Sequence, residues 1–474
     1  MGKVKGFIEY SRKNYKYRPV FERIKDFREQ IILLPENELS VQAARCMDCG
    51  TPYCHAIGCP LYNLIPEWND LVYKNKWYEA YIRLTLTNNF PEITGRICPA
   101  PCEASCTLSI NDEPVTIKQI ELSIIEHAFS HEWVVCESPS VKTKKRVAII
   151  GSGPCGLAAA QQLRRAGHDV VVFEKADKVG GILRYGIPDF KLEKWVLDRR
   201  LEQLRKEGII FETDIIAGED ISVKYLKRSF DAILLTLGAG APRELNVEGR
   251  ELKGIYHAME YLSLSNKFVA GEITEKELIS AKNKNVLVIG GGDTGSDCVG
   301  TAIRQNAKKV YQIEIMPKPQ EWNKPYNPQW PMWPQILRTS TSHEEGCERL
   351  WCITTKRFIG ENNNVKKAVC AKVEWERDNN TGQMRMKEIP ESDFTIETDL
   401  VLLSMGFLHV NHTRLLDDFG LEFDNRGNIK TSKDYSTNVK GVFAAGDCVC
   451  GASLIVRAIY NGRKAAEEIN KFLR

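Results

Sequence analysis

The sequence predicts an α/β chain: an N-terminal helical, thiol-rich domain, then two Rossmann-like dinucleotide-binding domains, the second inserted in the first. Three observations predict it. Seven of the fifteen cysteines fall between residues 46 and 106. A strand–glycine loop–helix–strand pattern occurs twice, at 146–174 and 285–314. A C-terminal stretch, 441–474, offers one more strand and helix to the first of these units. A chain of 474 residues is too long for one hydrophobic core. The expected domains are 1–140, then 141–242 joined with 401–474, and 243–400 between them. The polar linker CESPSVKTKK at 136–145 marks the first boundary.

Composition excludes several classes. Hydrophobic residues make up 43% and charged residues 27%, so wholesale disorder is not expected. A net charge of +3 carries no nucleic-acid footprint. Residues 1–30 hold nine Lys/Arg against four Asp/Glu, which reads as a solvated face or as a docking surface for a partner. No run of about 18 apolar residues predicts a membrane span. The start, MGKVKG, lacks a signal core and a myristoylation motif. The expected location is cytoplasmic, where thiols stay reduced, so the cysteines call for metal ligation or burial and not for disulfides.

The first thiol group, CMDCGTPYCHAIGCP, places Cys46, Cys49, Cys54 and Cys59 in a ferredoxin-like pattern closed by proline. The second, CPAPCEASC, places Cys98, Cys102 and Cys106 at four-residue steps. Soft thiolates suit iron–sulfur clusters or zinc, but seven do not divide into two four-thiolate zinc sites. The first domain is therefore expected to be a helical iron–sulfur domain. Two four-iron clusters need eight ligands, which leaves one missing. In TIKQIELSIIEHAF, Ile117, Ile120, Ile124, Ile125 and Phe129 mark one helical face, and Glu121 sits within that stripe. An unpaired buried carboxylate is costly, and coordination to iron would remove the cost. Periodicity alone also allows Glu121 at the edge of the stripe, reaching water or an arginine.

In the first dinucleotide unit, Gly151 permits the tight turn, Gly153 lets backbone approach a pyrophosphate, and Gly156 lets helix and strand pack closely. The helix N-terminus then faces the phosphates. Glu174, with Lys175 beside it, stands where an acid meets an adenosine ribose. The second unit repeats this with Gly290, Gly292 and Gly295, Asp293 and Thr294 inside the loop, and Glu314 at the strand end. Two units imply two dinucleotides, most economically a flavin reduced by a nicotinamide nucleotide. An acid at position 314 would repel a 2′-phosphate, which leans toward NADH over NADPH; a solvated strand end is the alternative. In GVFAAGDCVCGAS, Gly446 and Asp447 can meet the flavin ribityl chain, and a helix is expected from near Ser453. Cys448, Cys450, Cys155 and Cys298 read as small packing residues. The Pro- and Trp-rich segment 317–356 reads as an ordered insertion beside the nicotinamide site, or as simple packing.

Together these motifs are similar to a known family. RCMDCGTPYC, GCPLYNLIPEWN, TGRICPAPCEASC, GSGPCGLAAA, GGILRYGIP, GGGDTGSDCVGTAIR and AAGDCVCGASLIVRAI, in this order from about residue 40 to the end, resemble the small (beta) subunit of bacterial glutamate synthase. The architecture also resembles the N-terminal half of dihydropyrimidine dehydrogenase and the large subunit of the NADH-dependent ferredoxin:NADP oxidoreductase. The resemblance implies FAD, NAD(P)H and two [4Fe–4S] clusters. It implies one cluster on Cys46, Cys49, Cys54 and Cys106, and the other on Cys59, Cys98, Cys102 and Glu121. It also implies flavin contacts at Gly181 and Leu183. The strand-end phrase QIEIMPKP resembles members with a glutamate there, not those whose arginine pair favours NADPH. Residue 2 is Gly, not a glutaminase nucleophile, and no barrel-sized segment remains. A large (alpha) subunit is therefore the expected partner, making L-glutamate from L-glutamine and 2-oxoglutarate. The alternative is the electron-input subunit of another flavin/iron–sulfur complex, such as a bifurcating transhydrogenase. Hydride transfer needs stacking and close approach, so no catalytic acid, base or nucleophile is assigned.

Overall fold

The computed structural model describes residues 2–139, 141–378 and 382–474. The thiol-rich lobe is helical, built mainly on Glu36–Ala43, Ile65–Tyr73, Trp77–Thr85, Pro91–Ile97 and Ile117–Ser130. Proline near the first helical position starts both Ile65–Tyr73 and Pro91–Ile97, where its missing N–H has no helical partner to lose. In Ile117–Ser130 the expected stripe is buried apart from the half-buried Phe129, yet Gln119, Glu121, Leu122 and Ser123 are buried too. The helix therefore runs through the middle of the lobe, and Glu121 is not at an edge facing water.

Two five-stranded parallel sheets follow. The first takes the order Val442–Ala444, Ala232–Leu235, Arg146–Ile150, Asp169–Phe173, Ile210–Glu212, so a C-terminal strand does complete a sheet begun about 300 residues earlier. Its central strands read as unbroken apolar runs because helices cover both faces. The second takes the order Glu348–Trp351, Lys309–Glu314, Asn285–Ile289, Leu400–Leu403, Ile255–His257. Leu400–Leu403 lies between two strands of this second sheet, which corrects the boundary expected at 400/401. The apolar run LVLL can be buried on both faces there, and the chain returns to the first sheet only after it.

An antiparallel sheet of Ile353–Glu361, Asn364–Arg377, Met384–Glu388 and Phe394–Glu397, not expected from the sequence, completes the second half. Its long hairpin turns on Asn362 and Asn363, both at positive φ (51° and 63°), as a two-residue primed turn requires.

The early positive charge is largely engaged within the chain. Arg12 pairs with Glu103 at 2.6 Å and Arg18 with Asp26 at 2.7 Å. The buried Arg23 meets Glu344 at 3.0 Å and Glu345 at 2.6 Å, strapping the N-terminal segment to the second dinucleotide half. The thiol lobe is seated on the first dinucleotide half by a fully buried ion pair. Glu92 (0% exposed) accepts two hydrogen bonds, from Nε and Nη2 of Arg200 (3% exposed), both at 2.7 Å. Asn89 Nδ2 donates to Gln161 at 2.6 Å, and Arg463 donates to Asn89 at the same distance.

Removing one member of this buried pair leaves an uncompensated charge. Glu92→Ala is expected to lower stability by about 3–5 kcal/mol, and Glu92→Leu with Arg200→Met by much less. Urea unfolding of the two variants checks the difference.

Candidate functional site

Each phosphate-type loop is shaped by its first and third glycines. Gly151 has φ +102°, and a Cβ there or at Gly156 would collide with Thr236 or with the loop's own carbonyl. Gly290 has φ +121° and is pressed against Ser404 in the same way, with Gly295 closing on Gly290. Gly153 and Gly292 face open space, so each middle glycine leaves a cradle that a ligand can enter. Helices Pro154–Arg165 and Asp293–Arg304 begin directly after them.

The strand-end acids hold the loops. Glu174 Oε2 accepts from Ser152 N at 3.0 Å and Ser152 Oγ at 2.6 Å, while its Oε1 accepts from Ala176 N at 2.9 Å. Glu314 repeats this: Oε2 accepts from Gly291 N at 2.6 Å and Oε1 from Met316 N at 3.1 Å. Glu174 is buried and Glu314 half-buried.

The first loop and the start of helix Asp293–Arg304 border one cavity of about 1030 Å³, at the upper end of the range for small-molecule sites. Gly151, Gly153, Glu174, Lys175 and Gly181 line it from the first unit, and Asp293 and Thr294 from the second. Asp447 and Ser453 line it from the C-terminal stretch, where Ser453 Oγ donates to Asp447 at 2.7 Å. Burial raises the Asp447 carboxyl above its ordinary value. The long C-terminal helix starts at Ile455, two residues later than expected, and Leu454 to Val456 face the cavity. Leu183 does not face it. Its side chain is in the core and its N–H donates to Gly180 O, while Ile182 takes its place in the cavity wall. Gly156, Gly446, Gly290, Gly292, Gly295 and Glu314 stand outside the lining.

Lys191 and Asp297, not expected from the sequence, form an ion pair in the cavity wall between the two units. Asp297 lies one helical turn after Asp293, a spacing that could have revealed it. Thr236 was not expected either; its hydroxyl donates to Gly151 O at 2.8 Å.

The thiols form two sets. Cys46, Cys49, Cys54 and Cys106 line one small cavity with Pro52, Ile65 and Val115. Cys59, Cys98 and Cys102 each lie within electrostatic reach of Glu121. Burial pushes the Cys46 thiol up to about 11 and Cys59 and Cys98 up to about 12; Cys54, Cys102 and Cys106 move the same way. Such thiols ionise when a cationic centre binds them. Burial also raises Glu121 to about 7, against hydrogen bonds from Thr94 Oγ1 and from Asn88 Nδ2 at 3.0 Å. Among the described residues no set of three or more His, Cys, Asp or Glu side chains is arranged to hold a single metal ion. Soft donors around a space suit a polynuclear iron–sulfur group better than one zinc ion. Cys98 also stands in the wall of the large cavity, so the second set adjoins the dinucleotide site. All fifteen cysteines are free; Cys155, Cys298 and Cys448 are buried, as packing predicts, and Cys450 is exposed.

The family model for pyridine nucleotide-disulphide oxidoreductases matches residues 145–462, and one described as dihydropyrimidine dehydrogenase domain II, 4Fe-4S cluster, matches 23–133. A "Glutamate synthase [NADPH] small chain" of Mycobacterium tuberculosis (strain ATCC 25618 / H37Rv) is 50% identical, over 99% of this chain and 95% of its own length. The chain belongs to the glutamate synthase small-chain family. The small chain of Bacillus subtilis (strain 168), also named for NADPH, is 44% identical over 100% of this chain and 99% of its own. A "Glutamate synthase [NADH]" of Schizosaccharomyces pombe is 46% identical over 99% of this chain, which spans 23% of that longer protein. Among solved structures, Mycobacterium tuberculosis FprA in complex with NADPH aligns with TM-score 0.54 at 16% identity, over 69% of this chain and 84% of FprA. That likeness bears on the fold of the two dinucleotide halves. As a member of the glutamate synthase small-chain family, the chain is a pyridine-nucleotide oxidoreductase with a 4Fe–4S domain. Among the described residues no helix is long and apolar enough to cross a membrane.

The loop geometry separates two glycine substitutions. Gly292→Ala, in open space at φ −79°, should keep the parent's thermal midpoint and raise KM for the coenzyme several-fold. Gly290→Ala should lower stability by about 1–3 kcal/mol, visible as a lower thermal midpoint.

Proposed function

We propose that this chain is the electron-input subunit of a glutamate synthase. It takes hydride from NADH at an FAD and passes electrons singly, through two [4Fe–4S] clusters, to a large subunit that makes L-glutamate from L-glutamine and 2-oxoglutarate. The observation that carries this reading is Cys98 in the wall of the dinucleotide cavity, which leaves no separate domain between the flavin site and the thiol lobe.

In this reading the Gly151–Gly156 loop cradles the FAD pyrophosphate, and Glu174 fixes the loop while lying beside the ribose. Lys175 and Gly181 border the same site, and Asp447 with Ser453 meets the ribityl chain. The first turn of Ile455–Leu473 brings its positive end to the flavin. The loop from Gly290 to Gly295, with Asp293 and Thr294, receives the coenzyme. When bound, the flavin supplies the chemistry needed between the two carriers, accepting two electrons together and releasing them one at a time. Lys191 and Asp297 bridge the seam between the two units and would border both a bound flavin and a bound coenzyme. Cys59, Cys98, Cys102 and Glu121 hold the nearer cluster, and Cys46, Cys49, Cys54 and Cys106 the farther one. Relatives are named for either coenzyme; Glu314 favours NADH because its carboxylate would repel a 2′-phosphate. The work takes place in the cytoplasm.

Anaerobically purified protein should be brown, with about eight irons and about eight sulfides per chain. Flavin without acid-labile sulfide would overturn the scheme. With the large subunit, glutamine, 2-oxoglutarate and NADH, glutamate should form; without that subunit it should not. Glu121→Ala should remove the signal of one cluster and keep the other. Glu314→Arg should move kcat/KM toward NADPH by about tenfold or more; an unchanged ratio would remove the role given to Glu314.

A further inference from the structure

The Pro- and Trp-rich segment does not lie wholly beside the nicotinamide site. Residues 339–341 and Glu344 line the dinucleotide cavity, but residues 327–331 reach across to the thiol lobe. Trp330 Nε1 donates to Cys106 O at 3.0 Å and to Ser105 O at 3.3 Å. Ser105 Oγ donates to Pro331 O at 2.7 Å. Asn327 N donates to Ser109 O at 2.6 Å, and Asn327 Nδ2 to Ala104 O at 2.9 Å. The Trp330 ring lies 4.7 Å from the ring of Tyr53, the residue before Cys54. Trp330 therefore holds the backbone at Cys106 and packs its ring on the neighbour of Cys54, two of the four thiols around the smaller cavity. Cys49 is the half-buried member of that set, and its Sγ lies 3.4 Å from Thr107 Oγ1 in the loop Trp330 holds. None of these four thiols lines the dinucleotide cavity, so this set is the farther one.

We propose that Trp330 is a positioning residue for the iron–sulfur cluster held by Cys46, Cys49, Cys54 and Cys106: it fixes the Cys106 carbonyl and, with Tyr53, closes that set from water. This rests on the cluster reading above. A four-thiolate cluster gains a negative charge on reduction, and water stabilises the more charged state. Covering the set therefore holds its potential low, and uncovering it raises the potential. A segment from the coenzyme-binding half would thus set how readily the last carrier takes an electron.

The test is an EPR-monitored redox titration of the full chain, with the rate of cluster loss in air, for the parent, Trp330→Ala and Trp330→Phe. Trp330→Ala should shift one cluster's midpoint to more positive potential and shorten that cluster's lifetime in air severalfold. The other cluster and the FAD content should match the parent. Trp330→Phe, which keeps a ring and loses the N–H, should shift the same midpoint less. Unmoved midpoints and lifetimes in Trp330→Ala would overturn the proposal. If that variant loses FAD and does not fold, an unmoved Trp330→Phe overturns it instead. A parent without any cluster signal would sink the reading on which this one rests; a parent with both signals and unmoved variants sinks this one alone.

Discussion

The ion pair between Glu92 and Arg200 fixes where the thiol lobe sits, and the arrangement of the site follows from that. Both charges are withdrawn from water, and desolvation offsets much of their attraction. What such a pair supplies is register: the two hydrogen bonds from one guanidinium to one carboxylate are satisfied in a single orientation of the two helices. The partners of Asn89 reinforce that orientation from the neighbouring turn. With Pro91–Ile97 held there, Cys98 at its C-terminal end becomes part of the cavity wall. A slip at this seam would leave both halves folded and separate the thiols from the dinucleotide site.

The two dinucleotide loops show one solution used twice in unequal surroundings. Glu174 and Glu314 accept from equivalent backbone N–H groups, so each carboxylate first serves to hold its loop against the strand beside it. The first loop lies within the cavity wall, and the second contributes only Asp293 and Thr294. That asymmetry suits one resident ligand and one that comes and goes.

Much of this was legible in the sequence because local rules dictate it. A glycine forced to positive φ, a C-x-x-C pair and an apolar run before a tight turn each carry their meaning within a few residues. Gly151 and Gly290 stand where those rules placed them. The thiols regroup in space: Cys106 joins Cys46, Cys49 and Cys54, while Cys59 lies with Cys98 and Cys102 near Glu121, a division that local spacing does not carry. The failures involve partners distant in the chain. Leu400–Leu403 reads the same whichever sheet it joins, and only its neighbours decide. Leu183 was assigned by resemblance, while the direction of a side chain within one helical turn placed Ile182 in the cavity. Periodicity left Glu121 either within the stripe of Ile117–Ser130 or at its edge, and only the lobe packed around that helix, which buries Gln119 and Ser123 as well, decides between them. The Asn362–Asn363 turn was readable and was overlooked.

The side chain that holds the Cys106 carbonyl comes late in the chain. Trp330 follows Cys106 by more than two hundred residues, as do Glu344 and Glu345, which strap Arg23. Synthesis proceeds from the N-terminus at roughly 5–20 residues per second, so for about ten seconds or longer the emerging lobe exists without these contacts. Completion of the coenzyme-binding half then adds the Trp330 and Arg23 contacts, so the order of residues along the gene also sets an order of assembly.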